Sequence, residues 1–249
     1  MAPLSRVAGG ADTGGGAEYR LGEWDAHALD AAVTLQSAHD DVAVVAATVG
    51  PPSTDPVVRA ALARGADRGI RVWDDSLTAS ALFDPQLNAR LLAAVAADVD
   101  PKLVLAGVQS GPAGFGATGV TLASALGYGW ATAVTDVSLD RDAGVVSVRC
   151  DREGPRVDLV EVDLPAVLTV GTGCNEPRHA ALGAVRAAHR ADITVCSLDD
   201  LGLDPTDIDR SLTRVGTEDR DRDATLFEGP AEETAADLAR LLRAHGVEP

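Results

Sequence analysis

The stretch with the clearest chemical potential lies between two apolar runs, Leu103-Val-Leu-Ala-Gly and Val120–Leu126. It reads Val-Gln-Ser-Gly-Pro-Ala-Gly-Phe-Gly-Ala-Thr-Gly over residues 108–119. Glycines at 111, 114, 116 and 119, placed between a buried strand and a helix, let main-chain N–H groups approach an anion at a helix N-terminus. The spacing is neither the usual G-x-G-x-x-G nor G-x-x-x-x-G-K-[ST]. Two readings stand: a nucleotide loop, or an ordinary tight turn. The other reactive side chains are scattered. The five histidines, His27, His39, His179, His189 and His245, form no pair at metal-ligand spacing. Cys174 sits between Gly-Thr-Gly and Asn-Glu-Pro-Arg, but no local motif supplies the base that a catalytic thiol needs. No hydrolase elbow is present. The residues therefore point to no acid–base catalyst and no metal site.

Composition narrows the partners. Lys plus Arg is 21 against 38 Asp plus Glu, a net charge of −17, and Lys102 is the only lysine. Such a chain repels phosphate backbones and anionic lipid, which argues against nucleic acid and membrane surfaces as partners. No apolar run nears the ~20 residues of a membrane span, so no membrane insertion is expected. The Asp-rich, Lys-poor, Ala-rich profile suggests a protein of a high-salt cell. The first twenty residues show neither an apolar signal core nor twin arginines, and cysteines are few, so the expected location is cytoplasmic.

Strand and helix patterns alternate through the first half of the chain. Helices are expected at 25–38, 55–65, 85–98 and 120–126, and buried strands at 42–50, 70–73 and 102–108. Such alternation predicts an α/β fold with a doubly wound, mostly parallel sheet. After Tyr128 the pattern changes to strands at 130–138, 144–149 and 157–163 joined by tight turns, an antiparallel hairpin or meander. Segments 168–170 and 193–195 are expected to return to the main sheet around a helix at 180–189. Residues 1–20 read as a flexible lead-in, 21–197 as the α/β domain, and 198–249 as an arm with an acidic stretch. The arm's last helix, 230–244, carries Ala235, Leu238, Leu241 and Leu242 on one face. That face suits self-packing and docking equally.

Several segments, in order along the chain, resemble the β subunit of electron transfer flavoprotein. They are Asp25-Ala-His-Ala-Leu-Asp, Val49-Gly-Pro-Pro, Arg59-Ala-Ala-Leu-Ala-Arg-Gly-Ala-Asp-Arg-Gly-Ile, Leu103-Val-Leu-Ala-Gly-Val-Gln, Leu164-Pro-Ala-Val-Leu-Thr-Val and Asn175-Glu-Pro-Arg-His-Ala. The resemblance runs from about residue 22 to 245. It implies an adenine-nucleotide-binding type of fold and a heterodimer with an α subunit that holds most of an FAD. It also implies a second nucleotide, AMP or a second FAD, in β. The partners implied are acyl-CoA or other dehydrogenases and a membrane quinone oxidoreductase, met transiently. By position, cofactor contacts fall on Trp24, Asp25, Gly50, Gly107, Gln109, Gly116, Thr118 and Gly119. Partner docking falls on Leu182 and Arg178, and the C-terminal arm would embrace the α subunit.

The departures from that family are specific. Its opening strand, of the type "KILVxVKxVPD", is missing or degraded, with Ser5-Arg-Val the nearest remnant. Its Asn-Pro-Phe-Asp segment is Gly22-Glu-Trp-Asp here, which keeps Asp25 and offers Trp24 as the aromatic. Its nucleotide loop is acidic, whereas residues 110–119 carry no acid. Its Arg-Glu pair before the hairpin turn reads Cys150-Asp151. Two other functions fit the same residues: a non-redox adenine-nucleotide-binding protein, and a heterodimer paralogue that has lost its nucleotide.

Overall fold

The structure, a computed structural model, describes residues 4–6, 19–77, 83–110, 114–152, 154–204 and 225–247. The expected alternation is present. After two short strands, β1 (Leu4–Arg6) and β2 (Tyr19–Leu21), come α1 (Glu23–Ala38), β3 (Val45–Val49), α2 (Asp55–Ala63), β4 (Arg68–Val72), α3 (Pro85–Val99), β5 (Leu103–Gly107) and α4 (Thr118–Leu126). Then follow β6 (Gly129–Asp140), β7 (Val145–Asp151), β8 (Val157–Asp163), β9 (Ala166–Val170), α5 (Leu182–Ala188), β10 (Thr194–Cys196) and α6 (Ala231–Ala244). Local signals fix several ends. Asp84 caps α3 by accepting the Gln86 and Leu87 N–H groups, and Pro85 occupies the first turn, where its missing N–H costs nothing. Gly127, at φ +67°, closes α4 in a left-handed cap.

Three ladders form. One is parallel, in the order β10-β4-β3. Another has the order β5-β9-β6-β7-β8, parallel from β5 through β9 to β6 and antiparallel from β6 through β7 to β8. β9 is buried along its whole length, as the apolar sequence Ala-Val-Leu-Thr-Val requires of a central parallel strand. β6 changes partner at an irregularity between Ala131 and Val134, where Ala133 takes φ +54°. Gly129–Ala131 pair with β9, Val134 pairs with both β9 and β7, and the residues from Asp136 on pair with β7, so one long strand serves the sheet and the antiparallel flap. The third ladder is the antiparallel pair β1–β2. Its first strand falls in the segment 1–20, read from sequence as a flexible lead-in, and its second reaches Leu21; Leu4–Arg6 joins neither larger ladder.

The side-chain alternation of β3 and β5 shows how the two larger ladders relate. Val45, Ala47 and Val49 belong to a core built with α3 and α4 residues, and so does Val104 of β5. Val44 and Ala46 pack instead with Leu29 and Val33 of α1 and Ala61 of α2. Leu103 and Leu105 pack in a core that contains Ala28 and Ala31 of α1. Successive residues of a strand face opposite ways, so α1 lies on one face of both strands and α3 on the other. This is the doubly wound arrangement expected from the sequence.

The chain divides into two compact units, Met1–Thr213 and Arg214–Pro249. Residues 205–224, most of the expected acidic stretch, lie outside the described residues. Within the second unit, α6 carries Glu232 and Glu233 in its first turn and Arg243 in its last, and none of its residues is buried.

Candidate functional site: the carboxyl end of the sheet and the loop after β9

β3 ends at Gly50 and β5 at Gly107, and both glycines are demanded by packing. A Cβ on Gly50 would lie 2.4 Å from Thr54 Cγ2, and one on Gly107 would lie 2.7 Å from Trp24 Cβ and 2.8 Å from the Asp25 nitrogen. The head of α1 therefore rests directly on the end of β5. Asp25 locks this contact, since its Oδ1 accepts the Gly107 N–H at 2.9 Å. Its Oδ2 is buried with no hydrogen-bond partner among the described residues. Burial pushes this carboxyl from 3.8 up to about 7, against the lowering pull of the Gly107 amide. Gly50 is tied elsewhere. Arg71, itself buried, bonds Asp55 at 2.7 Å and reaches the Gly50 carbonyl at 3.4 Å.

At the turn after β5, Gly119 is again a packing glycine, with the place of its Cβ 2.4 Å from Thr169 Cγ2. Gly114 and Gly116 differ from it. Both have positive φ, +63° and +60°; Gly114 has nothing within 4 Å of its Cβ place, and Gly116 has Val108 O at 3.4 Å. The structure thus joins Trp24, Asp25 and Gly107 in one contact. It places Gly116 against Val108 and Gln109, and Thr118 and Gly119 at the head of α4. Residues 111–113 lie outside the described residues.

The Asn-Glu-Pro-Arg segment is stapled to α1. Asn175 Oδ1 faces His27 Nδ1 at 2.9 Å, and its amide donates to the His27 carbonyl, also at 2.9 Å. Arg178 donates its main-chain N–H and its Nε to Asp30, and one terminal nitrogen to Thr34 at 2.8 Å. The guanidinium expected at a partner thus has partners within the chain. Leu182, at the start of α5, is 68% exposed. Arg59 of α2 holds the far end of α5, donating to the carbonyls of Ala188, His189 and Ala191 at 2.7, 3.0 and 3.2 Å. Sequence reasoning singled out neither His27, Asp30 nor Arg59 for these tasks. The only available signal was their presence in the matched segments Asp25–Asp30 and Arg59–Ile70.

The three thiols offer no nucleophile. Burial raises Cys150, Cys174 and Cys196 alike, the opposite of what an activated thiolate needs. Cys150 is a core residue, and Arg149, one position earlier, sits 3.7 Å from Asp151. Among the described residues no group of three His, Cys, Asp or Glu side chains converges on a metal position, and no helix is long and apolar enough to cross a membrane.

A doubly wound sheet with glycines at the carboxyl ends of β3 and β5 and in the turn that leads into α4 defines a class of α/β domain whose ligands bind beyond those strand ends. Comparison with known proteins specifies it. A family model for the electron transfer flavoprotein domain matches residues 15–201. The chain is 36% identical over 230 residues to the electron transfer flavoprotein subunit beta of Methylophilus methylotrophus, covering 90% of this chain and 86% of that one. It is 32% identical over 232 residues to the pig (Sus scrofa) subunit beta, covering 93% and 87%. It is 29% identical over 181 residues to the caffeyl-CoA reductase–Etf complex subunit CarD of Acetobacterium woodii, covering 73% and 67%. The chain belongs to the electron transfer flavoprotein family, with the β subunits.

Proposed function

We propose that this chain is the β-like subunit of an electron transfer flavoprotein heterodimer. Its α partner holds most of an FAD, and the pair passes electrons from acyl-CoA or other dehydrogenases to an acceptor such as a membrane quinone oxidoreductase. The observation that carries this reading is the 36% identity to a β subunit across 90% of the chain. When bound, FAD supplies one- and two-electron transfer, and the protein supplies orientation and electrostatics. The chain's own contribution is a rigid wall. Trp24 presents a half-buried aromatic at the head of α1, and the Asp25–Gly107 bond fixes that head to the sheet. Leu182 offers an apolar anchor for a dehydrogenase. The Asn175 and Arg178 staples and the Arg59 cap hold the segment that carries it.

The described part of the β5–α4 turn fits the phosphate of a second nucleotide. Gly114 has nothing within 4 Å of its Cβ place, and Thr118 opens α4, whose first main-chain N–H groups lack intrahelical acceptors. Among residues 108–110 and 114–119 no charged side chain is available for a ribose or a phosphate. AMP or a second FAD would be held through backbone contacts and the Thr118 hydroxyl. The same acid-free turn favours a second reading, a heterodimer paralogue that has lost this nucleotide.

The test is affinity purification of the tagged chain from its native cells in molar salt, with an absorbance spectrum and nucleotide analysis of the eluate. A yellow eluate containing a second, flavin-bearing polypeptide is expected. A colourless single chain would sink the electron-transfer reading. A yellow heterodimer that releases FAD but no second nucleotide would establish the paralogue variant of the site.

A further inference from the structure

Among the described residues the buried charged side chains are Asp25, Asp30 and Arg71. The first two already have tasks, on Gly107 and on Arg178. Arg71 lies in β4 between Ile70 and Val72, which belong to the apolar core with α3, so by alternation it faces the α2 side of the sheet. There it meets the start of α2, and the positive end of a helix disfavours a cation. Asp55, in the first turn of α2, accepts its Nε at 2.7 Å and offsets that cost. A buried ion pair is still a weak source of stability, since an apolar pair of similar volume often serves as well. The second bond of Arg71 gives the pair another task. One terminal nitrogen donates to the Gly50 carbonyl at 3.4 Å, and the Gly50 N–H donates to the Val72 carbonyl at 2.9 Å. Both main-chain groups of Gly50 are thus held by two successive residues of β4, one step past the end of β3. The turn that follows has no slack. Thr54, fully buried, donates its N–H and its hydroxyl to the Pro51 carbonyl, each at 2.8 Å, and a Cβ on Gly50 would lie 2.4 Å from Thr54 Cγ2. Asp55 follows Thr54 directly, so one guanidinium grips the turn 50–55 at both ends.

We infer that Arg71 is a positioning residue for the second nucleotide: its fork from Asp55 to the Gly50 carbonyl sets the main chain that the end of β3 offers to the nucleoside. The inference rests on the reading of the β5–α4 turn as a phosphate site. Ligands of such sheets lie beyond the carboxyl ends of the strands. With the phosphate at the head of α4, the part of the nucleotide that reaches β3 is the ribose with its base. A main-chain wall selects that part by shape, and it adds affinity only if it is held still before the ligand arrives. Arg71 does this without touching the ligand, since it is buried and both its bonds go to the turn. A lysine would keep the charge but not the fork, and could not hold Asp55 and Gly50 together.

The test is titration of the purified protein, with any polypeptide that accompanies it, in molar salt after bound nucleotide has been removed. The probes are AMP, the part that both candidate nucleotides share, and ribose 5-phosphate, which lacks the base. Wild type is compared with Arg71→Lys and with a double variant, Arg71→Met with Asp55→Leu. The double variant should melt close to wild type, because the cation and its counter-ion leave together. Both variants should bind AMP about tenfold more weakly and exchange the amides of Gly50 and residues 53–55 faster, while ribose 5-phosphate binds as before. Wild-type AMP affinity in both variants overturns the inference. An equal loss of both probes overturns it too, since that is general loosening. If the double variant does not fold, Arg71→Lys decides by itself. A wild-type protein that binds neither probe refutes the phosphate-site reading, and the inference falls with it.

Discussion

Asp25 is held in place by one amide and by burial, and the two act in opposite directions on its charge. Burial dominates and raises its titration from 3.8 to about 7. A carboxyl whose folded pKa is raised contributes stability that is full below its ordinary value and is lost as pH rises through the folded value. The fold should therefore weaken between about pH 4 and pH 8, by on the order of a few kcal/mol from this group alone. Asp25→Asn keeps an oxygen for the Gly107 N–H and removes the titration. Its melting curve should flatten across that range and lie above wild type at about pH 8. Melts that keep the wild-type slope would assign the pH dependence to other groups.

At the scale of elements, the loop after β9 is organised from outside. α5 has seven residues, too few to persist as an isolated helix. Arg59 supplies what α5 cannot, a cation on the carbonyls of its last turn. Arg59→Ala should speed amide exchange through residues 182–191 and cost about 1.5–3 kcal/mol, the usual worth of a hydrogen bond to a charged group. Exchange mass spectrometry reads both the site and its spread. If the proposed docking role of the exposed Leu182 holds and depends on this cap, the variant should also weaken the proposed association with a dehydrogenase while leaving the flavin content of the proposed heterodimer unchanged.

Charge is the property that belongs to the whole molecule. A net −17 is self-repulsive at low ionic strength, and salt shortens the screening length from ~10 Å at 0.1 M to ~3 Å at 1 M. Individual pairs, such as Arg141 with Asp41 and Arg152 with Asp158, are exposed and add little on their own. Thermal melts should move upward between dilute buffer and about molar KCl. Coincident curves would remove the argument for salt adaptation.

The elements were legible because each is a local pattern. The apolar run before Gly-Pro-Pro, the Pro85 start of α3 and the hairpin turn near residue 140 read alike in sequence and structure. The family was legible for a related reason: short motifs kept their order along the chain. The three-residue pair β1–β2 was not, since three residues carry no measurable period. Nor was the work of Asn-Glu-Pro-Arg. Asn175 meets His27 and Arg178 meets Asp30 across 148 positions, and no local pattern encodes such a contact. By itself the sequence determined the alternation of strand and helix, the charge and the family, because these depend on residue types and near neighbours. Only the tertiary structure decided that Gly107 exists to seat α1 and that Asp25 is buried with one oxygen to spare. Each of these depends on which distant surfaces meet when the layers close.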